Sequence, residues 1–254
     1  MESKDLNEIW SVLKSNFNKL TFVEETHTYY VDGKILPSVS TLIKDFYKEF
    51  DTEGESIRYA EKKGFEIEDV LGAWRGENIE STTKGTKVHL FGEDYVKWKY
   101  FEIGEKPTAF CKQSLAIIQF WNDLPKYLVP VALELQMYNE ELGYCGTADI
   151  LLYNTLEDTF VIADYKTNKE LFGNAKYPQK LLLHLSDRLD LKQDNFGKYT
   201  LQFSFYQILL EAIGLKVSSR MLIWLRESEG KLYSTYRTKD VSQDLKDYLM
   251  QKGK

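Results

Sequence analysis

Two aspartates and one lysine lie in neighbouring segments that both have the composition of β-strands. The first segment is Gly146-Thr-Ala-Asp149-Ile-Leu-Leu-Tyr153, and the second is Val161-Ile-Ala-Asp164-Tyr-Lys166. β-Branched, leucine and aromatic residues dominate both, which is typical of strands. Two carboxylates and an ammonium that met at one point would form a site for a hard metal cation, because such cations prefer oxygen ligands.

A hairpin loop over residues 155–158 would bring the three charged groups together. A loop of that length places Asp149 directly opposite Asp164, and opposite residues in an antiparallel pair share a face. Lys166 lies two residues beyond Asp164, so its side chain points to that face as well. Like charges placed opposite each other repel unless a cation lies between them. The sequence therefore predicts a metal site with a lysine beside it.

This prediction depends on the strand register. A slip of one residue would turn Asp149 or Asp164 to the other face of the sheet. The competing interpretation is a solvated hairpin face with an Asp–Lys ion pair, because charged residues usually lie on surfaces. The apolar residues around both aspartates favour the metal site.

The bulk composition is that of a soluble globular protein of 254 residues, with 43% hydrophobic and 28% charged residues. No apolar run approaches the roughly 20 residues of a membrane helix, and the N-terminus has no apolar signal region, so we expect no membrane partner. Cys111 and Cys145 form neither a disulfide framework nor a zinc or iron–sulfur set. A reducing compartment such as the cytoplasm is therefore expected.

Charge is unevenly distributed along the chain. The formal net charge of −6 does not by itself indicate a nucleic-acid binder. Residues 49–80 contain ten acidic and four basic side chains, whereas residues 166–198 contain seven basic and four acidic ones. Residues 81–100 add four lysines against two acids. A polyanion would approach the two basic segments, although ordinary solvated faces would give the same pattern.

The hydrophobic pattern predicts a helical N-terminal region, residues 1–127, and an α/β region, residues 128–254, in one compact unit. In the first region it predicts two short strands over 20–31 and helices over 55–75, from after Ser81 to about Phe101, and over 109–124. In the second it predicts a strand from Leu128 that leads into the hairpin, a helix over Tyr199–Ile213, strands near Val217–Arg226 and Leu232–Arg237, and a final polar helix.

His89 and Glu134 could extend the predicted site. His89 lies early in a predicted helix, and an imidazole mixed with carboxylates favours Mn2+ or related ions. A surface pair with Glu93, one helical turn away, is the alternative. Alternation along the strand before the hairpin places Glu134 on the face of Ala132 and Gln136, where it would add an acid to the polar strip. An exposed glutamate is the alternative there.

Gln202 and Tyr206 lie four residues apart in the helix predicted over Tyr199–Ile213, so they share one face. They could donate hydrogen bonds to a phosphate or orient a base, although each is also an ordinary residue of an amphipathic helix. The other two histidines, His27 in a predicted turn and His184 in a leucine-rich run, are expected to be structural.

Taken in order, these residues resemble the PD-(D/E)XK nuclease superfamily in its RecB-like exonuclease branch. The matching motifs are Gly85-Thr-Lys-Val-His89, Glu134, Gly146-Thr-Ala-Asp149, Asp164-Tyr-Lys-Thr167 and Gln202-Phe-Ser-Phe-Tyr206. The opening from Phe22 to Leu42 is also similar to phage-type members and to mitochondrial genome maintenance exonucleases. The likeness covers about residues 20–226. Ala148 replaces the proline of the name, and Asp164 is an allowed alternative to the glutamate.

The resemblance implies a fold and a set of residue roles. The fold is α/β, with a restriction-endonuclease-like core in which helices flank a central mixed β-sheet, plus the helical N-terminal half. Mg2+ or Mn2+ would be held by Asp149, Asp164, His89 and the backbone carbonyl of Tyr165. Lys166 and Glu134 would take part in catalysis together with the two aspartates. The strand would be bound by Gln202, Tyr206, Thr167 and Lys169.

The implied function is metal-dependent hydrolysis of DNA, single- or double-stranded, by an exonuclease. No iron–sulfur cluster is expected, because the cysteine set that some relatives use is absent. The chain has no helicase-like phosphate loop, so it would act alone or with a separate replication or recombination partner protein, in the cytoplasm of a bacterium or a phage-infected cell. A structure-specific endonuclease and a catalytically inactive nucleic-acid-binding protein are the alternatives.

Overall fold

A computed structural model of the chain describes residues 5–26, 28–173, 181–226 and 230–252. Within these ranges the fold is α/β, with helices on both faces of a five-stranded mixed sheet. The predicted turn at His27 and residues 174–180 of the predicted basic segment lie outside the described residues. No helix in the described ranges combines the length and the apolar character that crossing a bilayer requires.

Helices and strands alternate irregularly along the chain. In order they are α1 (Leu6–Asn16), β1 (Leu20–Val23), β2 (Thr28–Val31), β3 (Lys34–Leu36), α2 (Val39–Lys44), α3 (Thr52–Lys63), α4 (Ile67–Phe101), α5 (Lys112–Asp123), β4 (Leu128–Asn139), β5 (Tyr144–Asn154), β6 (Thr159–Lys166), α6 (Ser186–Leu189), α7 (Asn195–Ala212), β7 (Val217–Trp224), β8 (Ser234–Arg237) and α8 (Ser242–Lys252).

The central sheet has the strand order β4-β5-β6-β7-β8. Strands β6 and β7 are parallel, and the other neighbours are antiparallel. Parallel neighbours need a long crossover connection, and α6 and α7 lie in the one that joins β6 to β7. Strands β1, β2 and β3 form a separate antiparallel sheet.

Two clusters of buried side chains cover the faces of the central sheet. The first, here the α7-side cluster, contains residues of α1, α2, α7 and α8. The second, here the α4-side cluster, contains residues of α4 and α5. Strand β6 contributes to both clusters, because its side chains point alternately to the two faces of the sheet. Phe160 and Ile162 belong to the first cluster, and Val161 and Ala163 belong to the second. Helices from the first half of the chain therefore cover both faces of a sheet from the second half.

The hairpin of β5 and β6 has the register that its loop length predicts. Asn154 pairs with Thr159 beside the turn, and the antiparallel ladder continues for five pairs. Asp149 and Asp164 are next in register beyond the last of these pairs. The predicted hairpin is confirmed, and it brings the two aspartates to the same end of the two strands.

Helix α4 differs from the prediction. The sequence predicted helices over 55–75 and from after Ser81, whereas α4 runs without a break from Ile67 to Phe101. The break falls instead at Gly64, whose φ of +73° is the left-handed conformation that glycine adopts at helix C-termini. The Oγ of Ser81 donates to the carbonyl of Glu77 inside the helix, so this serine does not cap a new one.

Most other element boundaries lie within a few residues of the predicted ones. Helix α7 begins four residues earlier than predicted, because the carboxylate of Asp194 accepts a hydrogen bond from the backbone N–H of Gly197 and caps the helix. Strands β7 and β8 are shorter than predicted. His184 is exposed and contacts the rings of Phe46 and Tyr248, and its structural role stays a prediction.

Candidate metal centre

Three potential metal ligands converge from three elements of the fold. His89 of α4, Asp149 of β5 and Asp164 of β6 each offer one ligand atom, and these atoms all lie within 4.8 Å of one another. The two strands contribute the carboxylates because of the hairpin register, and α4 contributes the imidazole because its C-terminal half packs on the sheet. A mixed nitrogen and oxygen set of this kind suits Mg2+ or Mn2+.

His89 interacts with Asp149 and not with Glu93. Its Nδ1 lies 2.7 Å from Oδ2 of Asp149, whereas Glu93 forms an ion pair with Lys97, with Nζ and Oε1 2.6 Å apart. The alternative of a histidine–glutamate surface pair is therefore wrong. Burial works to lower the pKa of His89, but the hydrogen bond and charge of Asp149 outweigh it and raise that pKa above its ordinary value.

Asp164 is the most enclosed of the charged groups. Its side chain is 1% exposed, and Nζ of Lys166 lies 2.5 Å from Oδ2 as an ion pair. Within the described part of the chain, Oδ1 has no hydrogen-bond partner. A buried carboxylate oxygen without a partner is costly, so Oδ1 fits a metal cation that would satisfy it.

The two carboxyls have opposite electrostatic environments. Burial works to raise the pKa of Asp149, but His89 and then Lys166 outweigh it and lower that pKa. Burial, followed by repulsion from Asp149, raises the pKa of Asp164 far above its ordinary range. Two like charges this close ionise together only with a compensating cation, so the pair favours binding of a divalent ion.

Lys166 is held in place by charge and by an aromatic ring. Its Nζ lies 4.3 Å from the centroid of the Tyr199 ring on α7, a cation–π contact. The hydroxyl of Tyr199 donates to Oδ1 of Asn168, which fixes the ring. Burial works to lower the pKa of Lys166, but Asp164 and Asp149 raise it, so the ammonium stays charged at neutral pH.

The backbone is strained where β4 passes the site. Glu134 has a φ of +46°, a left-handed conformation that costs a residue with a Cβ about 1–2 kcal/mol. On its two sides Leu133 pairs with Ile150 and Leu135 with Ala148. The first pair contacts the α4-side cluster and the second pair the α7-side cluster. Residues two apart in a regular strand share a face, so both strands change face here.

Glu134 and Asp149 are the residues at this change of face, and both line one pocket with Leu133. The sequence placed Glu134 on the face of Ala132, opposite Leu133. This prediction of the face is wrong. Ala132 is buried in the α7-side cluster, whereas the strained backbone turns Glu134 to the side of Leu133. The expected proximity of Glu134 to Asp149 is confirmed.

The carboxyl of Glu134 has a raised pKa. Although the residue is exposed at the rim, loss of water around the carboxyl, followed by repulsion from Asp149 and Glu93, raises its pKa to about 7. A group that titrates near neutral pH can accept or release a proton under working conditions.

The side chain of Tyr165 supports the site from the α4 side. It is 2% exposed, and its hydroxyl accepts a hydrogen bond from the indole N–H of Trp121. Its ring lies edge-to-face with the imidazole of His89, with centroids 5.9 Å apart. Gly92, one turn from His89, leaves the space for this ring, since a Cβ there would lie 2.6 Å from a Tyr165 ring carbon. The role of its carbonyl as a metal ligand stays a prediction.

Gln202 and Tyr206 are joined to each other on α7. Nε2 of Gln202 donates to the Tyr206 hydroxyl over 2.9 Å. Tyr206 is 5% exposed and packs against Gly146, where a Cβ would lie 2.7 Å from a ring carbon. Tyr206 therefore supports the start of β5 and orients Gln202. Contact of either residue with a bound strand stays a prediction.

Thr167 and Lys169 follow β6 and lie near α4. Oγ1 of Thr167 is 3.6 Å from the position that a Cβ would take at Gly85. Lys169 is exposed, and its ammonium forms an ion pair with Glu77 of α4. Both lie beside the exposed half of α4, and their proposed contacts with a strand stay predictions.

Three supporting residues have little or no signal in the local sequence. Tyr199 beneath Lys166, and Trp121 and Gly92 around Tyr165, are brought to the site by packing between distant elements. Only Tyr199 has a weak signal, because it lies one turn before Gln202 and therefore on the same helix face.

The charged groups open into a cleft of about 480 Å³. Its lining includes Gly85, Thr86, His89, Leu90, Glu93, Glu134, Asp149 and Lys166. The volume is within the range of ligand sites, so a substrate could reach His89, Asp149 and Lys166 at once, whereas Asp164 is buried and does not line the cleft.

No protein-family model and no curated protein matches the chain.

Proposed function

We propose that this chain is a metal-dependent deoxyribonuclease that hydrolyses DNA phosphodiester bonds from an end. The observation that carries the proposal is the convergence of His89, Asp149 and Asp164 within 4.8 Å, with the Lys166 ammonium 2.5 Å from Asp164. Two acids, an imidazole and a lysine that lie together beside an open cleft are a set suited to metal-assisted hydrolysis.

His89, Asp149 and Asp164 would hold Mg2+ or Mn2+, with the Tyr165 carbonyl as a further ligand. A bound divalent ion supplies two things, a lower pKa for a coordinated water and neutralisation of negative charge on the scissile phosphate. The unsatisfied Oδ1 of Asp164 supports this assignment. The described residues give no support for an iron–sulfur cluster, since Cys111 and Cys145 are single thiols far apart in the chain.

Lys166 would orient the attacking water or donate to a phosphate oxygen as negative charge develops there. The Tyr199 ring and Asp164 hold its ammonium in one place, which is the preorganisation that such a role needs. Glu134, with its pKa near neutrality, would accept a proton or bind a second ion or water.

The resemblance to the PD-(D/E)XK superfamily supports DNA as the substrate and a restriction-endonuclease-like fold. The mixed sheet with helices on both faces is compatible with that fold. Gln202, Thr167 and Lys169 would contact the strand. A cytoplasmic role in phage or bacterial DNA replication, recombination or repair, with a separate partner protein, belongs to the same proposal.

The test is cleavage of end-labelled linear DNA and of the same DNA as a covalently closed circle, each with Mg2+ or Mn2+ or with a chelator. We expect wild-type protein to degrade the linear form only in the presence of the ion and to leave the circle whole. Cutting of the circle would identify an endonuclease instead.

Asp149→Ala and Lys166→Ala should abolish cleavage, whereas Glu105→Gln, an exposed acid outside the cleft, should not change it. Equal cutting by all variants would place the activity elsewhere or in a contaminant. DNA binding without cleavage under every condition would favour the inactive nucleic-acid-binding protein.

A further inference from the structure

A shallow apolar hollow adjoins the cleft on the same helix. It has a volume of about 400 Å³ and is lined by Lys87, Leu90, Phe91, Asp94, Pro107 and Phe110. Leu90 also lines the cleft, so the two spaces share one wall. A molecule that entered the cleft could therefore extend into the hollow.

Two large apolar side chains of the hollow are open to solvent. Leu90 is 53% exposed and Phe110 is 54% exposed. Apolar side chains exposed together beside polar groups mark binding surfaces. Phe91 supports Phe110 from one side, with ring centroids 6.0 Å apart in an edge-to-face arrangement, and leaves about half of Phe110 accessible.

Hydrogen bonds hold the backbone at Phe110 in place before any ligand binds. Its N–H donates to Oγ of Ser114 over 3.0 Å, and the N–H of Cys111 donates to the same oxygen. Ser114 is fully buried in the first turn of α5. A side chain mounted on such a backbone loses little freedom when a ligand binds, which favours binding.

We infer that the hollow receives an unpaired nucleobase of the strand whose phosphodiester lies in the cleft, an inference that rests on the proposed function. Every base has an aromatic face that can stack on a phenyl ring, so such a site would accept any of the four bases. Lys87 and Asp94 supply a donor and an acceptor to which a base edge could bond, whereas Asp94 would repel a bare phosphate. A base enters without the cost of unpairing only if it is single-stranded or lies at a frayed end, so the enzyme favours such DNA.

The experiment is equilibrium binding of a fluorescent single-stranded oligonucleotide in a chelator, so that no cleavage occurs. We expect Phe110→Ala to bind roughly 5- to 100-fold more weakly than wild type, the effect of losing one stacked base. Phe110→Trp should restore the affinity. On an oligonucleotide that has the sugar–phosphate chain but no bases, wild type and Phe110→Ala should bind equally.

Phe65→Ala is the matched control, since Phe65 is equally exposed, at 58%, but lies in the turn between α3 and α4. It should bind both oligonucleotides as wild type does. Equal affinity of wild type and Phe110→Ala for the normal oligonucleotide would overturn the inference and would point to another occupant, such as a partner protein. A loss of equal size on the base-free chain would overturn it as well.

The outcome is separable from that of the proposed function. If the wild type cleaves linear DNA but Phe110→Ala binds the normal oligonucleotide as tightly as wild type, only the nucleobase site is refuted. If Phe110→Ala loses affinity only for the oligonucleotide with bases, but neither wild type nor any variant cleaves DNA, the nucleobase site is supported and the nuclease proposal is refuted.

Discussion

Nδ1 of His89 lies 2.7 Å from Oδ2 of Asp149, and this contact joins helix α4 to strand β5 at the centre of the site. Asp149 raises the pKa of the imidazole against the opposing effect of burial. In the protein without metal, His89 in its protonated form supplies part of the positive charge that the two aspartates need. A metal ion must replace that proton, because only the neutral imidazole is a ligand.

The first prediction concerns stability without metal as a function of pH. The pKa of His89 is near 6.5 in the unfolded chain and higher in the fold. Its pairing with Asp149 therefore stabilises the fold fully below about pH 6.5, and this contribution is lost as pH rises through the folded-state pKa. Urea unfolding in a chelator should show the difference in unfolding free energy between wild type and His89→Gln shrinking with rising pH. A difference independent of pH would contradict the assigned ion pair.

The second prediction concerns stabilisation by the ion. A ligand that binds only the folded state at 100 times its Kd stabilises by about 2.7 kcal/mol, which for a chain of this size raises Tm by about 5–10 °C. Wild type should show such a shift with Mn2+, and Asp164→Asn should lose most of it. Glu105→Gln should keep the full shift. An unchanged shift in Asp164→Asn would place the ion elsewhere.

The third prediction compares two glycines of helix α4. An added Cβ at Gly92 would lie 2.6 Å from Tyr165 Cε2 and 3.3 Å from Ile117 Cδ1, whereas at Gly76 it would meet no atom within 4 Å. Gly92→Ala should therefore reduce the free energy of unfolding by about 1–3 kcal/mol. Gly76→Ala should increase it by about 0.5–1 kcal/mol, because alanine favours the helix. Urea unfolding of both variants measures this, and a change of the same sign in both would contradict the packing of α4 on Tyr165.

The fourth prediction separates the backbone of Glu134 from its carboxyl. Both Glu134→Gln and Glu134→Gly remove the acid, so both should slow DNA cleavage to a similar degree. Only glycine relieves the φ of +46°, a gain of about 1–2 kcal/mol that its higher chain entropy partly offsets. Glu134→Gly should therefore be at least as stable as Glu134→Gln in urea. A clearly less stable glycine variant would show that the strand is not strained here.

The hairpin could be predicted from the sequence because its determinants are local. A loop over residues 155–158 and strands with regular alternation leave one register that keeps the apolar side chains buried, and Asp149 and Asp164 follow from it. The same reasoning gave Lys166, two residues beyond Asp164. Each of these inferences uses only neighbours in the chain.

The remainder of the site depends on contacts between distant elements. The change of face at Glu134 breaks the alternation from which its orientation was predicted. The position of Tyr199 beneath Lys166 requires the crossover that lays α7 on the sheet. The continuity of α4 depends on Gly64 ending α3, while Ser81 bonds within the helix instead of capping it. The first two have no signature within one segment, whereas Gly64 is a local helix-end signal that the prediction of one helix over 55–75 missed.

The most direct measurement of the central claim is an anomalous difference map from crystals grown with Mn2+. We expect a peak within coordination distance, roughly 2.0–2.6 Å, of Asp149 and Asp164 carboxylate oxygens and of a His89 ring nitrogen, with the Lys166 ammonium beside it. A map in which Mn2+ binds elsewhere while these three side chains keep their ion pairs would contradict it.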